Sequence, residues 1–215
     1  MSEAKRSWLS RLMTPAAPGT PQEYFSRLPV IETPRLILRR MTLRDAPDLY
    51  AYSKDPEVAR HVLWSAHRSV WDAKAYIRFM LQQYRLGEPS SWCLVDRESG
   101  KAIGTIGFMS FSPENSTVEI GYSLARSHWN RGLMTEAQEA VLREVFETLK
   151  LHRVEAQHFS ANPSSGRVME KCGMTHEGHL RRRIYNKGEF QDVEMWGILR
   201  RDWQKLHGRK TDETA

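Results

Sequence analysis

Between Ser91 and Ala125 the chain carries three strand-forming runs joined by connections too short for anything but hairpins. Residues 91–97 (SWCLVDR), 101–111 (KAIGTIGFMSF) and 116–125 (STVEIGYSLA) are rich in β-branched and aromatic side chains. Glu98-Ser99-Gly100 and Pro113-Glu114-Asn115 supply the turn chemistry between them. A crossover helix does not fit into so few residues, so this stretch must be an antiparallel meander. The third run then leads through RSHWNRG into a helix predicted over residues 132–150, with Ala137, Val141, Val145 and Leu149 as its buried stripe. Residues 153–159 (RVEAQHF) read as a strand again.

The flanking segments extend the pattern on both sides. Residues 33–41 (TPRLILRRM) form a strand with Leu36 and Leu38 on one face, and Thr42 with Asp45 makes a capping box. A helix follows over 43–61, broken at Asp55-Pro56. Another spans 70–86, where Ala73, Ile77, Met80, Leu81 and Tyr84 recur at helical intervals, and Gly87 stops it. After residue 159 a short helix over 164–172 ends at Gly173, and strands at 175–185 and 189–199 are joined by Asn186-Lys187-Gly188. The order β-α-α-β-β-β-α-β-α-β-β, without internal repeats, specifies one α+β domain over residues 28–205. Residues 1–27 read as a basic segment, with Trp8, Leu9, Leu12 and Met13 at helical spacing, and a Pro-rich linker over 14–22; residues 206–215 read as a polar tail.

Composition removes several classes of function. No apolar run approaches the roughly 20 residues that span a bilayer, and the start lacks the apolar core of a signal peptide, so a cytoplasmic location is expected. Two cysteines, Cys93 and Cys172, exclude a secreted disulfide framework, and no metal-ligand spacing occurs, so no metal is expected. The 32 Lys and Arg against 26 Asp and Glu leave a net charge of +6, which attracts anions at long range. Arg181-Arg182-Arg183 is the densest cationic cluster.

One junction has the makings of an anion site. Where residues 116–125 pass through Arg131-Gly132 into the long helix, first-turn N–H groups and the positive end of the helix dipole favour a phosphate. Gly132 lets a ligand approach the backbone, and Arg131 adds a charge. One strand later, Asn162 precedes a proline as a helix cap, with Ser165 three residues on.

Four blocks, ETPRLILRR, EIGYSL, WNRGLMTEA and LHRVEAQHFSANPSSGRVMEKCGMTHEG, stand in an order and spacing that resemble the GNAT acyltransferase superfamily over residues 31–203. Within it, the branch of ribosomal-protein alanine N-acetyltransferases is the most similar. The resemblance implies a mixed, mostly antiparallel, twisted sheet of about seven strands flanked by helices and split between the fourth and fifth, the fourth carrying a bulge. It implies acetyl-CoA as co-substrate and a primary amine as acceptor, either a protein N-terminus such as that of a ribosomal protein or a small-molecule amine. A monomer or homodimer is expected, with neither membrane nor nucleic acid as a partner.

The family's pyrophosphate loop, Gln/Arg-x-x-Gly-x-Gly/Ala, maps onto Trp129 to Met134, with Trp129 and Met134 departing from the pattern. By the same resemblance Asn130, Arg131, Gly132, Leu133, Met134 and Thr135 cradle the diphosphate, Leu124 offers its backbone to the thioester arm, and Asn162 binds the pantetheine amide. The tyrosine with which many relatives protonate the leaving thiolate is Met169 here, so Ser165 takes the acid role, and Glu119 is the candidate base with Glu177 and His158 as rivals. Glu136 and Glu139 are assigned to solvent, and transfer is expected to be direct rather than through Cys172. Two alternatives stay open: a basic ribosome- or RNA-binding module using Arg181–Arg183, and a catalytically inactive CoA-binding sensor.

Overall fold

Helix α1 (Pro21–Arg27) opens the described part of the computed structural model, residues 20–208. Trp8, Leu9, Leu12 and Met13, linker residues 14–19 and the tail beyond 208 lie outside it. Hairpin strands β1 (Ile31–Glu32) and β2 (Leu36–Arg39) follow, then a 3-10 turn at Leu43–Asp45, α2 (Ala46–Ser53), α3 (Pro56–Ala59) and α4 (Val70–Leu86). The meander is β3 (Ser91–Asp96), β4 (Ala102–Ser112) and β5 (Thr117–Leu124). Helix α5 (Leu133–Arg143) widens into a π-helical turn at Glu144–Thr148 before β6 (Arg153–Phe159). The remainder is α6 (Pro163–Lys171), β7 (Thr175–Asn186), β8 (Glu189–Leu199) and α7 (Arg200–Gly208).

Local chemistry accounts for the element boundaries. The Ser69 hydroxyl accepts from the Trp71 N–H at 3.2 Å while the Asp72 carboxylate accepts from the Ser69 N–H at 3.0 Å, a reciprocal cap that starts α4. Gly87, at φ +67°, ends it in the left-handed conformation. The Thr42 N–H donates to Asp45 at 2.7 Å, as the spacing required. Asp55 caps α3 by accepting from the Glu57 N–H at 2.9 Å, so the chain breaks where Asp55-Pro56 placed the break.

Among the described residues the strands form one eight-stranded sheet in the order β1-β2-β3-β4-β5-β6-β8-β7, one strand more than expected because residues 31–39 fold back as a hairpin rather than a single strand. All neighbours are antiparallel except β5 and β6. One face of the sheet, with Leu36, Leu38, Trp92, Leu94, Ile106, Phe108, Val118 and Ile120, is buried in the same core as Ala137, Val141 and Val145 of α5. The other carries Cys93, Thr105 and Ser123 under α2 and α4, where the Tyr52 hydroxyl is bonded to Ser123 and Thr105.

Two boundaries of the domain move outward. Thr20 to Gln22 was expected to be linker, yet Thr20 and Glu23 cap α1 reciprocally, and Pro21 sits at the helix start, where a missing N–H costs nothing. Tyr24 and Phe25 of α1 are buried among Phe108 and Phe111, with ring centroids 5.3–6.3 Å apart for the Phe108 pairs. Burying side chains of that size contributes about 1.5–3 kcal/mol each, so α1 is part of the core. At the other end α7 continues to Gly208, with Trp203 buried and His207 stacked on it at 4.4 Å.

The bulge also sits elsewhere than expected. β5 runs regularly, while β4 has the extra residue: Phe108 pairs with Ile120 and Ser110 with Glu119, leaving Met109 between them.

Candidate active site

β5 and β6 pair from Thr117↔Arg153 to Ile120↔Ala156 and then part. Beyond that fork β6 keeps β8 as its partner and β5 keeps β4, so a wedge opens between Gly121–Leu124 and Gln157–Phe159. The Ala125 N–H donates to the Ile103 carbonyl at 2.7 Å, next to the Gly104↔Leu124 pair. Leu124 is therefore a non-hydrogen-bonded position of the ladder, and its own N–H and C=O point away from β4, into the wedge. The same alternation aims the backbone of Tyr122 into it, two residues nearer the fork.

The wide end of the wedge leads to the start of α5. Asn130 at φ +58° and Gly132 at φ +75° take left-handed conformations on either side of Arg131. The first helical bond runs from the Glu136 N–H to the Gly132 carbonyl at 3.1 Å, so the N–H groups of Leu133, Met134 and Thr135 receive no acceptor from the helix itself. Such amides, with the helix dipole behind them, suit a phosphate. The two departures from the family loop acquire reasons. Met134 is buried and packs in the core. Trp129 reaches back so that its indole N–H donates to the Leu124 carbonyl at 2.8 Å.

A brace behind this loop was not expected. Arg35 on the turn into β2 donates to the Arg131 carbonyl at 2.8 Å and to Glu136 at 2.7 Å, and its backbone N–H and the Thr33 hydroxyl also donate to that carboxylate. Glu136 is thus not a solvated helix residue. Burial pushes its carboxyl upward, but Thr33, Arg35's backbone and its guanidinium outweigh that and hold it below the usual range. Thr33 and Arg35 stand in the block ETPRLILRR, whose alternation reads as plain strand; their reach to α5 spans about a hundred residues of sequence separation and leaves no local mark.

Near the fork, opposite faces of the sheet carry different groups. On the α5 face the Ser165 hydroxyl accepts from the Asn162 side-chain amide at 3.0 Å, which orients both residues at the start of α6. The Tyr122 hydroxyl donates to the Ser165 carbonyl at 3.0 Å, tying α6 to the strand edge; burial raises its pKa, so it stays protonated. Tyr122 lies within EIGYSL but occupies a position that core packing would fill equally well. On the opposite face Glu119 accepts from the Gln157 amide at 2.7 Å, a bond that crosses from β6 to β5 just below the fork.

The other two candidate bases have different surroundings. Glu177 on β7 is in a bidentate ion pair with Arg153, whose guanidinium holds its carboxyl below the usual range. His158 is on the α6 face, with its Nε2 buried against Gly166 and its ring near Trp196. The Cys172 thiol, pushed up to about 12 by burial, stays protonated. Arg181–Arg183 form the wide irregularity of β7 opposite Asp192, whose carboxylate accepts from the Arg182 N–H at 2.6 Å. No helix among the described residues is long and apolar enough to cross a membrane.

Residues 35–175 match the family described as an acetyltransferase (GNAT) domain. A protein of Bacillus licheniformis, named an uncharacterized N-acetyltransferase p20, is 33% identical over 171 residues, covering 80% of this chain and 96% of that protein. The [ribosomal protein uS5]-alanine N-acetyltransferase of Escherichia coli (strain K12) is 26% identical, over 84% of this chain and 96% of its own length. Among solved structures, an acetyltransferase (GNAT family) from Bacillus anthracis superposes with a TM-score of 0.72 at 26% identity, covering 80% of this chain and 99% of that one.

Proposed function

This chain belongs to the GNAT acetyltransferase family and is an N-acetyltransferase, and on that premise we propose that it moves an acetyl group from acetyl-CoA directly to a primary amine, a protein N-terminus being the acceptor class. The observation that carries this reading is the continuity of the wedge. Acceptor-free amides at the start of α5 lead onto the wedge-facing edge of β5, which ends at a fork with Ser165 on one face and Glu119 on the other.

The residues present fit the donor. Arg131 and the N–H groups of Gly132 to Thr135 suit its diphosphate, Asn162 the amides of its arm, and acetyl-CoA supplies a thioester as the activated acyl group. Leu124 keeps an N–H toward the arm although its carbonyl is engaged by Trp129. The N–H of Tyr122 faces the wedge as that of Leu124 does, and either is placed to donate to the oxyanion that develops as the amine adds. Glu119 takes the amine proton on one face, directly or through water. Ser165, held by Asn162, returns a proton to the departing thiolate on the other. The similarity to the uS5-alanine enzyme supports a peptide amine over a small-molecule one. A donor of this kind also favours residence in the cytoplasm.

Free-thiol release from acetyl-CoA, followed with a panel of peptides and small amines beside the melting shift produced by CoA, tests the proposal. Turnover of at least one amine together with a CoA-dependent shift is expected. A CoA shift with no turnover on any amine supports the inactive sensor instead, and neither signal removes the enzyme reading altogether.

A further inference from the structure

The extra residue of β4 points to a determinant of acceptor choice. A bulge bends its strand and re-aims one side chain, and here that side chain is Met109, left between the Phe108↔Ile120 and Ser110↔Glu119 pairs. Its thioether lies over Gly121: a Cβ on that glycine would sit 2.8 Å from Met109 Cγ and 2.9 Å from Sδ. Gly121 is the first β5 residue beyond Ile120↔Ala156, the last pair joining β5 to β6. Met109 therefore stands at the base of the fork. It is on the face that carries Glu119 and Ser123, and it is 55% exposed, a wall facing open space rather than a core residue.

We propose that Met109 determines acceptor specificity: it stands against the carbon that bears the incoming amine and restricts the enzyme to amines on small, unhindered carbons. This rests on the reading that transfer takes place at the β5–β6 fork. An amine reaching the fork from the Glu119 side must bring its own carbon past the thioether. A hydrogen or methyl group there meets a flexible, polarisable surface that adapts to it. A branched or aromatic group requires Met109 to leave its place over Gly121, and the bulge that directs it there is built into the β4 ladder. Gly121 belongs to the same device, because a side chain at that position would drive the thioether outward into the acceptor's path. The N–H and C=O of Gly121 face Gly107 on β4, so the wedge-facing amides of Tyr122 and Leu124 do not depend on its side chain.

The test follows thiol release from acetyl-CoA with glycinamide, alaninamide, leucinamide and phenylalaninamide, and records the CoA melting shift for each variant. Met109→Ala should raise the kcat/KM ratio of leucinamide to glycinamide by about tenfold, the low end of what one methylene provides in an apolar site, with KM for acetyl-CoA unchanged. Gly121→Ala should depress use of all four amides, and the double variant Met109→Ala/Gly121→Ala should restore them. Identical amide ratios in wild type and Met109→Ala, with a normal CoA shift in both, overturn this inference alone. Wild-type protein that binds CoA yet turns over none of the four overturns it too, since small amides are those the wall admits. Absence of any CoA shift in the wild type overturns the fork as the site, and this inference with it.

Discussion

Individual side chains near the fork make the proposed roles separately testable. Ser165 presents a hydroxyl oriented by Asn162, so Ser165→Ala should slow turnover by roughly 100-fold, the lower end of the usual contribution of a positioned acid, while the CoA melting shift stays as in the wild type. Unchanged rates in stopped-flow or steady-state assays take Ser165 out of the chemistry. Glu119→Gln keeps the size of the side chain and removes its basicity. Its activity profile should move toward higher pH, where the amine loses its proton to solvent; an unaltered profile hands that duty to water alone. Arg35 touches no proposed reacting atom, yet it holds the Arg131 carbonyl and Glu136 together behind the loop that leads into α5. A hydrogen bond to a charged group contributes about 1.5–3 kcal/mol, so Arg35→Ala should weaken CoA binding by about tenfold in calorimetry and leave kcat at saturating donor largely intact. A fall in kcat with unaltered CoA affinity would contradict the brace.

At the level of elements, the β7–β8 hairpin is tied to the end of β6 by one carboxylate. Glu194 accepts from the Ser160 hydroxyl at 2.6 Å and lies 2.8 Å from both His179 and His176. The Ser160 bond first, then His179 and His176, hold its carboxyl down to about 2, and Glu194 raises His179 above the ordinary histidine value. The signs fix a window. Glu194, depressed on folding, stabilises above its unfolded value near 4.5 and loses that contribution as pH falls toward 2. His179, raised on folding, contributes fully below 6.5 and loses its share as pH climbs through its elevated value. Protection of the β7 amides, taken relative to intrinsic exchange at each pH, should therefore be greatest between about pH 4.5 and 6.5 and fall on both sides. Glu194→Gln should flatten both limbs; a protection profile that ignores pH in the wild type would sink the idea. The hairpin tip is secured independently, with the Lys187 ammonium donating to the carbonyls of Ala59 and Val62 at the end of α3. The loop after α3 and the hairpin tip are thus held together as one unit.

For the molecule as a whole, α1 closes the core over the end of the sheet, and its removal is felt everywhere. Phe25→Ala should cost about 3–5 kcal/mol, the range for a buried aromatic, read as a lower melting temperature with CoA binding lost in parallel. A change within experimental scatter would show α1 to be an appendage. Much of this architecture was legible in the chain. The meander, the crossover through α5, the cap at Thr42, the break at Asp55-Pro56 and the stop at Gly87 all follow from local chemistry, because periodicity, caps and turn residues act over a few neighbouring positions. The start of α5 at Gly132-Leu133 was legible for the same reason, since a helix start announces itself in adjacent residues. Even α1 had left its sign in Thr20-Pro21-Gln22-Glu23, masked by the prolines before it. What only the tertiary structure decided is which distant groups meet: Arg35 with Glu136, Tyr122 with Ser165, Gln157 with Glu119, and Met109 with Gly121. Those meetings depend on sheet register, and a single extra residue in β4 shifts which side chain stands over which. Register is set by the packing of the whole sheet against its helices rather than by any short stretch of sequence, so the wedge followed from the family resemblance of the sequence while its walls did not.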